Sequence, residues 1–226
     1  MTSAVEGGSG DRTRPTRSVD ELWLDVLQQI SARMAHELKG ALNGLSVNLE
    51  VVRSRAAKSD AAASAIAPFA SSAADQLDAV LDMTEALLAI ARAPREPLDV
   101  FETLRSFAAL LTPSARAEGT SLRVEAPLRE LPATAVHATG NVVRVVVGSA
   151  LLAALARKGD VRCRVDAGEE TVVSIECADA EAPLVLSDDL YAVTAAASIR
   201  VQHEGQSFSL VFPRAGAARQ RTPETA

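Results

Sequence analysis

The segment best equipped for chemistry runs from Arg33 to Leu45, reading Arg-Met-Ala-His-Glu-Leu-Lys-Gly-Ala-Leu-Asn-Gly-Leu. Its imidazole, His36, carries a ring nitrogen that is nucleophilic near neutral pH. Glu37 follows directly, a carboxylate able to orient the ring and raise its basicity. On a helix, the apolar residues Leu27, Ile30, Met34, Leu38, Leu42, Leu45, Leu49 and Val52 recur at alternating three- and four-residue steps and form one stripe. His36 is off that stripe. It falls on the row Gln29, Arg33, His36, Gly40, Asn43, whose members are polar or lack a side chain, so the imidazole is expected to face solvent over an open patch of helix.

The order of residues narrows the chemistry. His-Glu-Leu-Lys, then a small residue, then Leu-Asn-Gly-Leu on a coiled-coil-like helix resembles the phosphoacceptor box of two-component histidine kinases, and Ser46-Val47-Asn48-Leu49-Glu50 continues the likeness. The resemblance covers residues 22 to 55 by motif and the stretch to about residue 93 by pattern. It implies that His36 is the phosphoacceptor and that Glu37 holds its tautomer. Lys39 would steady phosphate oxygens, and Gly40 and Asn43 would leave a flat approach for a docking partner. Phosphatase-active members of the family place Asn or Thr four residues after the His. Gly40 stands there, so weak phosphatase activity is expected, with Asn43 one turn away as a partial substitute.

Positioning such a group requires a long, supported helix. Ser18 and Glu21 have the spacing of a capping box, and the helix is predicted to run to about Ala57, a rod on the order of 55 Å long. Such a rod is not stable alone in water, so its stripe needs a cover. The cover follows in sequence: Ile66, Phe69, Ala73, Leu77, Val80, Thr84, Leu87 and Ala91 repeat by threes and fours, from Ser59-Asp60 to a stop at Pro94 and Pro97. Pro68, near the start of this second helix, is a potential kink. The result is an antiparallel hairpin over 20–94, and two hairpins about a two-fold axis bury all four stripes, which predicts a homodimeric four-helix bundle.

Past Pro97 the period changes. Helices are predicted over Val100 to Ala117, Asn141 to Arg157 and Asp188 to Ala197, and strands over 120–126, 160–167, 170–178, 198–203 and 206–213. Turns fall at Gly168 and at Glu204-Gly205. This mixture gives an α+β fold, with the hairpin followed by a small α/β sandwich over 98–213. Residues 1–19 read as a disordered arm and 214–226 as a flexible tail.

The order of the second unit resembles the ATP-binding domain of histidine kinases, but the groups that grip the nucleotide are missing. The family uses Asn side chains to hold Mg²⁺, an Asp for the adenine amino group and Gly-rich loops around the phosphates. By apolar register the Asn positions fall on Gly148 and Leu152, neither of which can bind a metal through its side chain. Asp179 survives as a candidate adenine ligand or a turn residue, while Glu181 and Pro183 stand where glycines are needed. The expected cofactor set is therefore empty, with Mg²⁺ supplied by a partner's receiver domain. The leading expectation is a dimeric histidine phosphotransferase, relaying phosphoryl groups through His36 to and from receiver aspartates. The alternatives are a kinase with a diverged ATP site and a non-catalytic pseudokinase that binds a response regulator or a kinase.

Composition agrees with a helix-rich signalling protein. Of 226 residues 48% are hydrophobic and only 3% aromatic, which favours close-packed, Ala-rich helices. A net charge of −6 gives no support to nucleic-acid binding, and no apolar run or signal peptide suggests a membrane, so a cytoplasmic location is expected. Arg53, Arg55 and Lys58 suit the C-terminal end of the first helix. Cys163 and Cys177 share strand faces with Val and Ile and are expected as buried thiols, and the three histidines offer no metal-ligand spacing.

Overall fold

A computed structural model describes residues 17–58, 62–92, 98–125, 135–136, 138–178, 185–204 and 207–213. The expected features at 1–16, Ser59-Asp60, Pro94, Pro97, Asp179, Glu181, Pro183, Gly205 and 214–226 lie outside these residues.

The first helix, α1, spans Val19–Ala56. Ser18 and Glu21 close the expected capping box: the Ser18 N–H donates to Glu21 Oε2 at 2.7 Å and the Glu21 N–H donates to Ser18 Oγ at 3.3 Å. The bond from the Ser18 N–H, with a second from the Ser18 hydroxyl to the same oxygen at 2.9 Å, holds the Glu21 carboxyl below its ordinary value. Helix α2, Ala63–Ala91, returns antiparallel and continues through Pro68. The bond Pro68 forfeits would end on Ser64 in the first turn, and Arg55 braces this end, donating to the Ala65 carbonyl at 2.6 Å with its guanidinium 4.6 Å from the Phe69 ring centroid. Midway along the hairpin, Asn48 Nδ2 donates to Ser72 Oγ at 3.0 Å and to Gln76 Oε1 at 3.2 Å, a polar layer that sets the register.

The predicted stripes are only partly the faces that α1 and α2 bury against each other. Ile30 and Met34 are buried and Leu27, Leu38, Leu45 and Val52 half-buried, but Leu42 and Leu49 are 50% and 52% exposed. On α2, Ala73 is buried as expected, yet Leu77, Thr84 and Ala91 are exposed while Met83, Ala86 and Ile90 take the inner positions. The reason is rotation: a stripe read from one helix gives its apolar side, not which part of that side the neighbour covers. The remainder, Leu24, Leu42 and Leu49 on α1 with Leu77, Leu81 and Leu88 on α2, is 46–55% exposed.

Beyond the hairpin, β1 (Leu98–Asp99) pairs antiparallel with β3 (Ala135–Val136), a short ribbon not expected from the sequence. Helix α3, Val100–Ala117, starts on an Asp99 cap and has the predicted bounds. Helix α4 is Gly140–Leu155 and α5 is Asp188–Ala196, capped by Ser187. The main sheet contains β2 (Leu122–Val124), β4 (Val161–Ala167), β5 (Thr171–Cys177), β6 (Arg200–Glu204) and β7 (Ser207–Phe212). Its order is β2-β4-β5-β7-β6, with β2 parallel to β4 and the other pairs antiparallel.

One face of the sheet is apolar and lies under the helices. Val161, Cys163 and Val165 of β4, Val173, Ile175 and Cys177 of β5, and Phe208, Leu210 and Phe212 of β7 belong to the core. The alternate residues Arg162, Arg164, Asp166 and Glu176 are exposed on the other face, the period-two pattern of a half-solvated sheet. The fold is α+β, a helical hairpin followed by a five-stranded mixed sheet with helices on one side. Both cysteines are buried free thiols, and burial pushes the Cys163 thiol up to about 12.

Candidate functional site

His36 lies in the middle of α1 and is exposed. Among the described residues neither ring nitrogen has a hydrogen-bond partner, and Glu37, half-buried beside it, makes no bond to the ring. Gly40 and Asn43, which continue the row, are exposed as expected, and Lys39 is exposed as well. A Cβ built on Gly40 would meet nothing within 4 Å. Val47, outside the stripe, extends the same line at 63% exposure. By helical geometry His36 lies roughly 120° or more around α1 from Leu42 and Leu49, so the apolar face and the imidazole do not compete for one partner.

Gly44, one turn past Gly40, is different. Its Cβ would stand 2.3 Å from Gln76 Nε2 and 2.9 Å from Gln76 Cδ, so its lack of a side chain makes room for the Asn48–Gln76 layer. Within one segment, one glycine serves the hairpin, and at the other an added Cβ meets nothing among the described residues.

The positions assigned to a nucleotide are on α4. Gly148 and Leu152 are both buried. A Cβ at Gly148 would lie 2.8 Å from Val26 Cγ1 of α1 and 3.0 Å from Phe107 Cζ of α3. Leu152 lines a cleft of about 300 Å³ whose other wall includes Leu22, Val26 and Gln29 of α1, with Leu186 and Leu190 closing the end. The first turns of α1 thus cover this side of α4. At the rim the Arg17 N–H donates to Asp189 Oδ1 at 3.2 Å and the Arg17 guanidinium pairs with Asp25.

Sequence reasoning missed Arg144. It is buried on α4, and it donates from Nη1 to the Arg92 carbonyl at 2.7 Å and from Nη2 to the Ala89 carbonyl at 3.3 Å, capping the end of α2. Its guanidinium lies 5.9 Å from the Trp23 ring centroid, and burial pulls its pKa below the ordinary value. A lone Arg in an otherwise Val-rich helix is the sequence signal that could have pointed to it.

Among the described residues no group of acidic, His and Cys side chains could hold a metal ion, and no helix is long and apolar enough to cross a membrane. No protein-family model and no curated protein matches the chain. Among solved structures it is similar to the blue-light activated histidine kinase of Erythrobacter litoralis, at 16% identity and a TM-score of 0.39, over 60% of this chain and 54% of that one. It is also similar to the histidine kinase AdeS of Acinetobacter baumannii, at 13% identity and a TM-score of 0.39, over 79% of this chain and 97% of that one. The chain thus spans about half the length of the first and nearly all of the second.

Proposed function

We propose that this chain is a dimeric histidine phosphotransfer protein, charged and discharged at His36 by receiver domains and using no nucleotide of its own. The observation that carries the reading is a contrast between two sites. The imidazole of His36 is open to solvent beside Gly40, where an added Cβ would meet nothing within 4 Å among the described residues, while the α4 face assigned to a nucleotide is buried under α1.

In the transfer, the ring nitrogen's lone pair forms the N–P bond as the P–O bond of a receiver's aspartyl phosphate breaks and the aspartate carboxylate leaves. The reverse step discharges the phosphohistidine onto a second receiver. The Mg²⁺ that neutralises the phosphoryl oxygens belongs to the receiver. Glu37 turns to accept a hydrogen bond from the other ring nitrogen, which stabilises positive charge as the N–P bond forms. Lys39 stands near the phosphoryl oxygens, and Gly40, Asn43 and Val47 form the floor on which the receiver sits. A second copy of the chain covers the exposed leucines of the hairpin, completing the four-helix bundle.

The test is transfer from a purified, phosphorylated receiver to the full chain. Label should move to wild type and not to His36→Gln, whose melting temperature should match wild type because the ring makes no internal bond. Equal labelling of both proteins, or none of either across a panel of receivers, would overturn the proposal. Stabilisation by Mg²⁺-ATP would favour the kinase reading instead, since a ligand that binds only the folded state raises its melting temperature.

A further inference from the structure

Helix α1 is gripped before it reaches His36. Leu22, Val26 and Ile30 are buried and belong to one hydrophobic core with Phe107 of α3, Gly148 and Leu152 of α4 lying against them and the sheet beneath. The contact is close because position 148 has no side chain, and Val26 Cγ1 occupies the space a Cβ would need. Trp23, on the same segment, packs edge-on against Phe107 with centroids 6.4 Å apart. Arg144 then ties α4 to the last carbonyls of α2, so both helices of the hairpin are held at the same end. Gly148 and Arg144, one turn apart on α4, meet different helices of the hairpin, the one Val26 of α1 and the other the end of α2.

We propose that Gly148 and Arg144 lock the α/β unit onto the hairpin in one fixed pose. Through them the α/β unit is a fixed bearing that clamps the first turns of α1 and the end of α2. A unit clamped this way does not swing along the hairpin to deliver a phosphoryl group. The inference stands on the α1–α4 and α2–α4 contacts and is independent of whether His36 is phosphorylated.

The test reads a distance in the full-length protein. Spin labels are placed at two exposed positions, Ser46→Cys on α1 and Arg162→Cys on the open face of the sheet, with labelled chains diluted into unlabelled ones so that only distances within a chain are seen. The buried native thiols stay unlabelled. A single narrow distance is expected, unchanged by Mg²⁺-ATP or by a phosphorylated receiver. A broad or two-component distribution in the wild type, or a shift on adding either ligand, overturns the proposal.

Gly148→Ala should broaden the distribution, and adding Val26→Ala, which removes the nearest obstruction, should return it part of the way, the Phe107 ring at 3.0 Å remaining. Arg144→Met should broaden it without any change at Gly148. Broadening with neither Gly148→Ala nor Arg144→Met also overturns it. Because no readout involves His36, failure of phosphotransfer leaves this result intact, and a mobile α/β unit leaves phosphotransfer intact.

Discussion

Gly40→Ala and Gly44→Ala are the same chemical change one turn apart on the same helix, and they should have different outcomes. Glycine in a helix interior costs about 1 kcal/mol relative to alanine. At Gly40 the new methyl meets nothing within 4 Å, so the whole of that propensity gain should appear as stability. For a chain of 226 residues, 1 kcal/mol corresponds to a rise in melting temperature of about 2–4 °C. At Gly44 the methyl would stand 2.3 Å from Gln76 Nε2, so the amide must turn away and lose the 3.2 Å bond from Asn48. That bond is worth about 1 kcal/mol, which cancels the gain before any residual crowding is counted. The expected difference between the variants is therefore about 1–2 kcal/mol, measured by thermal and urea unfolding. Transfer assays should separate them in the opposite sense, with Gly40→Ala slowing transfer from a receiver through a raised KM because the methyl stands on the docking floor. A Gly40→Ala protein less stable than wild type, or one more stable with unchanged transfer, would refute the argument that Gly40 is kept open for a partner.

Arg144→Met should destabilise the protein by about 2 kcal/mol, seen as a lower denaturant midpoint, because two carbonyls at the end of α2 lose a charged donor. An unchanged midpoint would mean that the relief of a buried cation offsets those bonds. Leu77→Glu with Leu81→Glu places charge on the exposed apolar face and should convert a dimer to a monomer by light scattering, with helix content retained. A dimer that survives both changes would move the interface elsewhere. The pH dependence has a definite sign at Cys163. Its folded pKa is raised by burial from 9.0 to about 12, so its contribution is whole below pH 9.0. As pH rises from there toward about 12 the unfolded chain loses its proton first, and stability should fall by about 1.4 kcal/mol per pH unit, a loss that Cys163→Ala should remove.

Much of the architecture was legible in the chain itself. The capping box at Ser18 and Glu21, the return of the hairpin, the bounds of α3 and the alternation in β4 and β5 all follow from local rules: cap geometry, a 3.6-residue period and a two-residue period. The exposure of His36 was legible for the same reason, since its neighbours at three, four and seven residues are polar or glycine. What was not legible depends on which surfaces meet. The stripes of α1 and α2 show that an apolar side exists but not which part of it the neighbouring helix takes, and within one chain Leu42, Leu49 and Leu77 stay half-exposed. The ribbon of β1 and β3 is too short to show a period.

Two glycines mark the boundary most clearly. Sequence alone determined that Gly148 cannot bind a metal ion, because it has no side chain to do so. Only the folded chain decides what the absence is for, since the atom that would stand 2.8 Å from a Cβ there belongs to Val26, more than a hundred positions away. Gly40 runs the other way: its position on the His36 row was readable at once, but that none of the described residues fills the space beside it required the packing of the other elements. Local chemistry belongs to the residues and their spacing, whereas contact and emptiness belong to the tertiary structure, because both are set by distances between segments that sequence order does not encode.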